Sequence, residues 1–135
     1  MEDAAVKVSE KNCADARDSE RVTRLKERLE RALREAAEIE VELSRADGTI
    51  RGVPHYSLNE VRAHELGKQL SRAVQQRQMS EVVAAQPTTA KCPTCGTRCD
   101  VRPQKRSLQS VDGAAEVADS QADCPVCRRS FFPAA

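Results

Sequence analysis

From Arg21 to Ser44 the apolar positions advance by alternating steps of three and four: Val22, Leu25, Leu29, Ala32, Ala36, Ile39 and Leu43. This spacing draws an a/d seam over about three heptads and predicts a helix. Two readings of the seam stay open: the helix docks on the rest of the chain, or residues 21–44 form a self-associating coiled coil and the chain is a homodimer. The two Ala positions weaken the second. The preceding twenty residues, MEDAAVKVSEKNCADARDSE, are polar, small and aperiodic, and residues 1–20 are expected to be a disordered tail.

The segment from Arg45 to Tyr56 holds Gly48, Gly52 and Pro54 and predicts a turn or short extended link at 45–56. A second helix is expected from Leu58 to Ala84, opened by a capping box of Ser57 and Glu60. Its apolar side is Ala63, Leu66, Leu70, Ala73, Val74 and Ala84, interrupted by Arg77 and weakened by Gly67. Residues 21–86 thus form a two-helix region, and 87–91 read as a linker around Pro87.

Beyond the linker the pattern changes to short strands. Arg106–Val111 and Ala114–Ala118 flank Asp112-Gly113, the signal of a type I′ hairpin turn. On either side of this hairpin stand Cys92-Pro93-Thr94-Cys95-Gly96 and Cys124-Pro125-Val126-Cys127-Arg128. Two residues between thiolates let one tight turn aim both sulfurs at a single metal at ~2.3 Å. Proline presets φ at the start of each turn, and Gly96 supplies the left-handed residue that closes the first. Arg128 stands where the second turn needs that conformation, at a cost of roughly 1–2 kcal/mol, and its cation offsets thiolate charge. Residues 92–135 are therefore expected to be a zinc ribbon holding one structural zinc on Cys92, Cys95, Cys124 and Cys127. Phe131 and Phe132 are expected to pack under the site. Cys99 is a possible substitute ligand or a bystander, and Cys13 lies apart in the tail.

Composition narrows the function. Leu, Ile, Val and Phe together number 25 of 135 residues, against 19 Ala, and there is no Trp. Such a chain cannot bury a deep core, so an enzyme with a closed apolar cavity is not expected, nor a small-molecule substrate. No apolar run approaches the ~20 residues that span a bilayer, and no signal peptide is visible at the N-terminus. A cytoplasmic location is the expectation, and there six cysteines read as metal ligands rather than disulfides. A redox C-x-x-C pair would need a βαβ context, which is missing. An all-thiolate set leaves no open position for a catalytic zinc. His64-Glu65 lacks the second His of a metalloprotease helix, since Lys68 stands in its place.

Charge is sorted along the chain: residues 1–50 carry 10 basic and 13 acidic side chains, and residues 51–135 carry 12 and 8. His64, Lys68 and Arg72 recur every four residues on the second helix, as a solvated face or as a phosphate-contacting one. With Arg102, Lys105, Arg106, Arg128 and Arg129 of the ribbon they make the candidate nucleic-acid contacts.

The ordered set Gly52-Val53-Pro54-His55-Tyr56, Ala63-His64-Glu65-Leu66-Gly67, Leu70–Gln75, Cys92–Gly96, Arg106–Gly113, Cys124–Arg129 and Phe131-Phe132-Pro133 resembles the region upstream of the catalytic domain in ISKra-type insertion-sequence transposases. The resemblance covers roughly residues 35–133. It implies that an RNase H-like nuclease domain with an acidic triad and divalent metal follows such a region. Ala135 falls just where that domain would begin, so the resemblance implies a truncated or separately encoded piece without catalytic residues. Asp119–Asp123 is polar where the family tends to be aromatic, which predicts a loosely ordered strand. The expectation is an α plus small β protein, with coiled-coil-like helices before a C-terminal zinc ribbon. Its expected role is the non-catalytic, DNA-engaging part of a transposase-like protein; the alternative is a protein–protein adaptor with a dimerising helical segment.

Overall fold

The computed structural model describes residues 3–133, with side chains from residue 15 onward. The chain divides into two compact units, Met1–Pro54 and His55–Ala135. The architecture is two helices followed by a small four-stranded antiparallel sheet. Among the described residues no helix is long and apolar enough to cross a membrane.

The first unit is built on one helix, α1, spanning Asp3–Ala46. It starts far ahead of the heptad seam, so the disordered tail expected over residues 1–20 is corrected to helix over residues 3–20, and residues 1 and 2 lie outside the described residues. Periodicity was the wrong criterion there. Half of the residues from 3 to 20 are Ala, Lys, Glu or Arg, which are strong helix formers, and extending an existing helix needs no new nucleus. The C-terminus is closed by backbone bonds from Asp47 N to Leu43 O at 2.9 Å and Ile50 N to Ser44 O at 2.9 Å. Gly48 takes the left-handed conformation (φ 75°) that lets the chain turn back on the last carbonyls. Ser44 is buried in this turn and donates to Val41 O.

The second unit opens with α2, Tyr56–Ala85. Its N-cap is His55, whose Nδ1 accepts from Ser57 N at 3.3 Å and lies 2.7 Å from Ser57 Oγ. The expected Ser57–Glu60 capping box is therefore replaced by an imidazole cap two residues earlier. Strand β1 (Thr89–Lys91) follows, in what was expected to be linker, and pairs with β2 (Arg98–Ser110) through Lys91 and Arg98. Strand β3 (Gly113–Asp123) pairs with β2 from Val101–Ala122 to Ser110–Gly113, and β4 (Ser130–Phe131) pairs with the end of β3.

The hairpin turn is shifted by one residue from the expected one. Val111 and Asp112 are its central pair, and Gly113 (φ 105°) is the first residue of β3. Arg128 is the one non-glycine with positive φ among the described residues, so this turn is not type I′. Ser110 fixes it instead, its Oγ accepting from Asp112 N and donating to Gly113 O. Asp119–Asp123 is ordered strand, contrary to expectation. Asp119 pairs with Arg106 at 3.2 Å, Asp123 accepts from Ser130 Oγ at 2.6 Å, and Ser120 and Ala122 are buried between them.

Strand β3 buries opposite faces at its two ends. Ala115 and Val117 are buried near the turn, and Ser120 and Ala122 near the cysteines. Alternation along a strand puts these two pairs on opposite sides of the sheet. α2 packs on β3. Gln75, Gln78 and Met79 line a shallow cavity with Arg106, Leu108 and Val117. The knuckles cover the other face, where Cys92, Cys99, Ala122 and Cys124 form the core, with Val101, Cys127 and Phe131 packed against it.

The helix face turned to the sheet was not the expected one. Arg72 Nη1 donates to Asp112 O at 2.6 Å, and Ser71 Oγ donates to an Asp112 carboxylate oxygen. These bonds clamp the hairpin turn to the polar side of α2. Of the expected apolar stripe, Ala63, Leu70, Ala73, Val74 and Ala84 are exposed and Leu66 is half-buried. The inward face is mixed: Met79 and Val83 are half-buried along with Ser71, Arg72 and Gln75.

Candidate metal centre

The two knuckles are built alike, residue for residue. Cys92 N donates to Thr97 O at 2.8 Å and Gly96 N to Cys92 O at 2.9 Å; Cys124 N donates to Arg129 O at 2.9 Å and Arg128 N to Cys124 O at 2.9 Å. Both turns close on a left-handed residue, Gly96 (φ 72°) and Arg128 (φ 54°). The strain anticipated at Arg128 is thus present. The Arg128→Gly variant is expected to be more stable by about 1 kcal/mol in thermal unfolding at high ionic strength, where loss of the cation matters least. A lower melting temperature there would mean that the arginine side chain contributes more than its backbone strain removes.

The hairpin brings the knuckles together. The Sγ atoms of Cys92, Cys95, Cys124 and Cys127 all lie within 4.8 Å of one another. A tetrahedral site with ~2.3 Å metal–sulfur bonds separates its sulfurs by about 3.8 Å, so this set can hold one metal ion. Cys95 and Cys124 Sγ stand 3.5 Å apart, and all four cysteines are free thiols. Cys127 N approaches Cys124 Sγ at 3.4 Å, the amide-to-sulfur contact that stabilises a ligating thiolate.

The four thiols are not equivalent. Thr97 Oγ1, 3.1 Å from Cys95 Sγ, and the Thr97 amide hold Cys95 down to about 6. Amide groups of Cys95 and Thr94 lower Cys92. Cys127 is pushed up to about 12, chiefly because its thiol donates to the Cys95 sulfur and also because it is buried. All four side chains would have to be thiolates to ligate one metal, so affinity for a metal would rise with pH.

Cys99 falls outside the cluster. It is buried, its thiol donates to Thr97 O at 3.3 Å, and burial pushes it up to about 11. It is a small core residue in the floor of the site. Cys13 lies among residues whose side chains are not described. Phe131 packs against the site as expected, but Phe132 does not: it is 57% exposed, and Arg106 sits 5.3 Å from its ring centroid. Sequence reasoning missed Thr97 and Ala122. Nothing marks either in the chain beyond a place near a knuckle, yet Thr97 contacts the Cys95 sulfur and lowers its pKa, and Ala122 is fully buried beneath the site.

The expected nucleic-acid contacts do not share one face. Lys68 pairs with Glu65 at 2.9 Å, Arg72 is spent on the hairpin turn, Lys105 approaches Glu116 at 3.7 Å and Arg106 pairs with Asp119. Strand alternation places Lys105 and Arg106 on opposite sides of the sheet. His64, Arg102, Arg128 and Arg129 are exposed. Lys91 and Arg98, also exposed and paired in register, lie with Arg128 and Arg129 at the knuckle end of the ribbon, whereas His64 lies on α2 beyond the residues that meet the hairpin turn. No protein-family model, curated protein or solved structure matches this chain.

Proposed function

We propose that the chain is a non-enzymatic, zinc-stabilised ribbon module that engages the backbone of duplex DNA, as an accessory part of a transposase-like protein. The observation that carries this reading is the knuckle end of the ribbon. There exposed Lys91, Arg98, Arg102, Arg128 and Arg129 lie near the four-cysteine cluster, against Asp100, Asp123 and the two net negative charges of four thiolates on one zinc. Zinc suits four thiolates in a closed, roughly tetrahedral set, and it acts as a structural ion there because the protein fills every coordination position. The ordered motif set shared with ISKra-type transposases supports the choice of DNA as the polyanion.

The contact set differs from the one drawn along the sequence. Arg72 is engaged with the hairpin turn and Arg106 with Asp119, while Lys68 and Lys105 make surface ion pairs. His64 lies apart on α2, and the five cations of the knuckle end are the proposed contacts. Up to five phosphate contacts imply a slope of about −4 to −5 for log affinity against log salt. Arg98→Glu with Arg102→Glu is expected to weaken duplex binding by about tenfold or more and to reduce that slope by about two, as read by fluorescence anisotropy on the metal-loaded chain. Binding that ignores salt, or that survives this reversal unchanged, would sink the DNA reading.

A second reading, the protein–protein adaptor, is favoured by α2. Leu70 and Val74 are 45% and 46% exposed on the side away from the sheet, as are Ala63 and Ala73. In that reading the ribbon is a rigid mount for a helix that presents an apolar stripe.

A further inference from the structure

The seam of α1 is bare. Val22, Leu25, Leu29, Ile39 and Leu43 are 50%, 52%, 57%, 55% and 52% exposed. A helix gains most of its stability from burying such a stripe, so a seam left open along about three heptads calls for a partner.

The flanking positions say which partner and which way round. With Val22, Leu29, Ala36 and Leu43 at a and Leu25, Ala32 and Ile39 at d, the g positions are Arg21, Arg28, Glu35 and Glu42, and the e positions are Lys26, Leu33 and Glu40. The flanking charge is sorted along the axis, cationic in the first half and anionic in the second. A parallel pair sets each g residue against the following e residue of its partner. That would face Arg21 with the partner's Lys26 and Glu35 with the partner's Glu40, like against like. An antiparallel pair sets g against g. Arg21 then meets the partner's Glu42 and Arg28 the partner's Glu35, and the two-fold axis repeats both pairs.

The same register fits the seam itself. Leu29 opposes the partner's Ala32, Leu25 opposes the partner's Ala36, and Val22 opposes the partner's Ile39. Each Ala that weakens the seam within one chain makes room for a Leu of the other, the large-against-small alternation that packs a core without voids. We propose that a second copy of this chain pairs with α1 as an antiparallel coiled coil over residues 21–42, with Leu43 beyond the last a/d layer. The pairing is independent of the metal site and of DNA.

Charge reversal distinguishes the orientations because they respond with opposite sign. Sedimentation equilibrium on the full chain is expected to show a reversible monomer–dimer equilibrium. Arg21→Glu with Arg28→Glu is expected to weaken it by about tenfold or more, and adding Glu35→Arg with Glu42→Arg to restore it. Tighter association of the first variant would overturn the proposal in favour of a parallel pair, since Glu at 21 would then face the partner's Lys26. A wild-type chain that stays monomeric at all concentrations, a first variant with unchanged affinity, or a fourfold variant that keeps its helicity by circular dichroism but is not rescued would also overturn it. Metal content, which reports the ribbon alone, is expected to be the same in every variant.

Discussion

Replacing Cys92 and Cys124 together by Ser is expected to take bound zinc from one ion per chain to near none and to unfold the ribbon. One ligand is removed from each knuckle, so neither turn can hold the metal alone. Both residues are buried, at 3% and 2% exposure, so the damage reaches the core as well as the ion. Apparent zinc affinities of comparable sites correspond to about 10–16 kcal/mol near neutral pH, more than the whole stability of a domain this small. The core that remains is thin: Ala122, Cys99, Val101 and Phe131. Metal analysis by mass spectrometry and loss of the strand signal in circular dichroism are the readouts. Full retention of zinc in the double variant would overturn the ligand assignment. Cys99→Ser is the matched control and is expected to leave the stoichiometry at one, because the Cys99 thiol is turned to a backbone carbonyl and lies outside the cluster.

The second large effect is expected at Ala122. Its side chain is completely buried and packs among Cys92, Cys99 and Cys124. Ala122→Asp places a carboxylate in that floor among Cys92, Cys99 and Cys124, where it would face a site that is net negative even if zinc is bound. An unpaired buried charge costs several kcal/mol, and overpacking the site adds about 1–3 kcal/mol. The variant is expected to bind zinc at least about a hundredfold more weakly by competition with a chelator. Ala122→Ser adds only a hydroxyl and is expected to stay close to the parent. Equal zinc affinity in the Asp variant and the parent would show that the floor of the site is open to water.

What was legible in the chain follows the range of the interaction involved. Both knuckles could be read from Cys92–Gly96 and Cys124–Arg128, because a metal-binding turn is closed by atoms within five residues. Even the left-handed strain at Arg128 was legible, since it follows from matching Arg128 to Gly96. The hairpin was visible through Asp112-Gly113, although its turn sits one residue earlier because Ser110 anchors it. By contrast, heptad spacing located the seam of α1 but hid the helix ahead of it, whose residues include many strong helix formers and no heptad pattern.

Four of the cations singled out as nucleic-acid contacts proved to be partners of Glu65, Asp112, Glu116 and Asp119. Three of those acids come from the hairpin turn or β3, and Arg72 and Asp112 lie 40 residues apart in sequence. No local pattern announces such a pair.

The sequence by itself determined the local chemistry of this protein: two thiolate turns, a hairpin between them, and two helices with apolar stripes. Each depends on neighbours along the chain, through fixed φ, capping and periodicity. Only the tertiary structure decided which faces those elements use. The β2–β3 hairpin carries one half-core against α2 and another, on the opposite face, against the cysteines. Ser71 and Arg72 bond Asp112 of the hairpin turn while Met79 faces Leu108 and Val117, which leaves Leu70 and Val74 exposed. Those contacts join residues distant in sequence, and their geometry exists only after the hairpin has formed and met the helix.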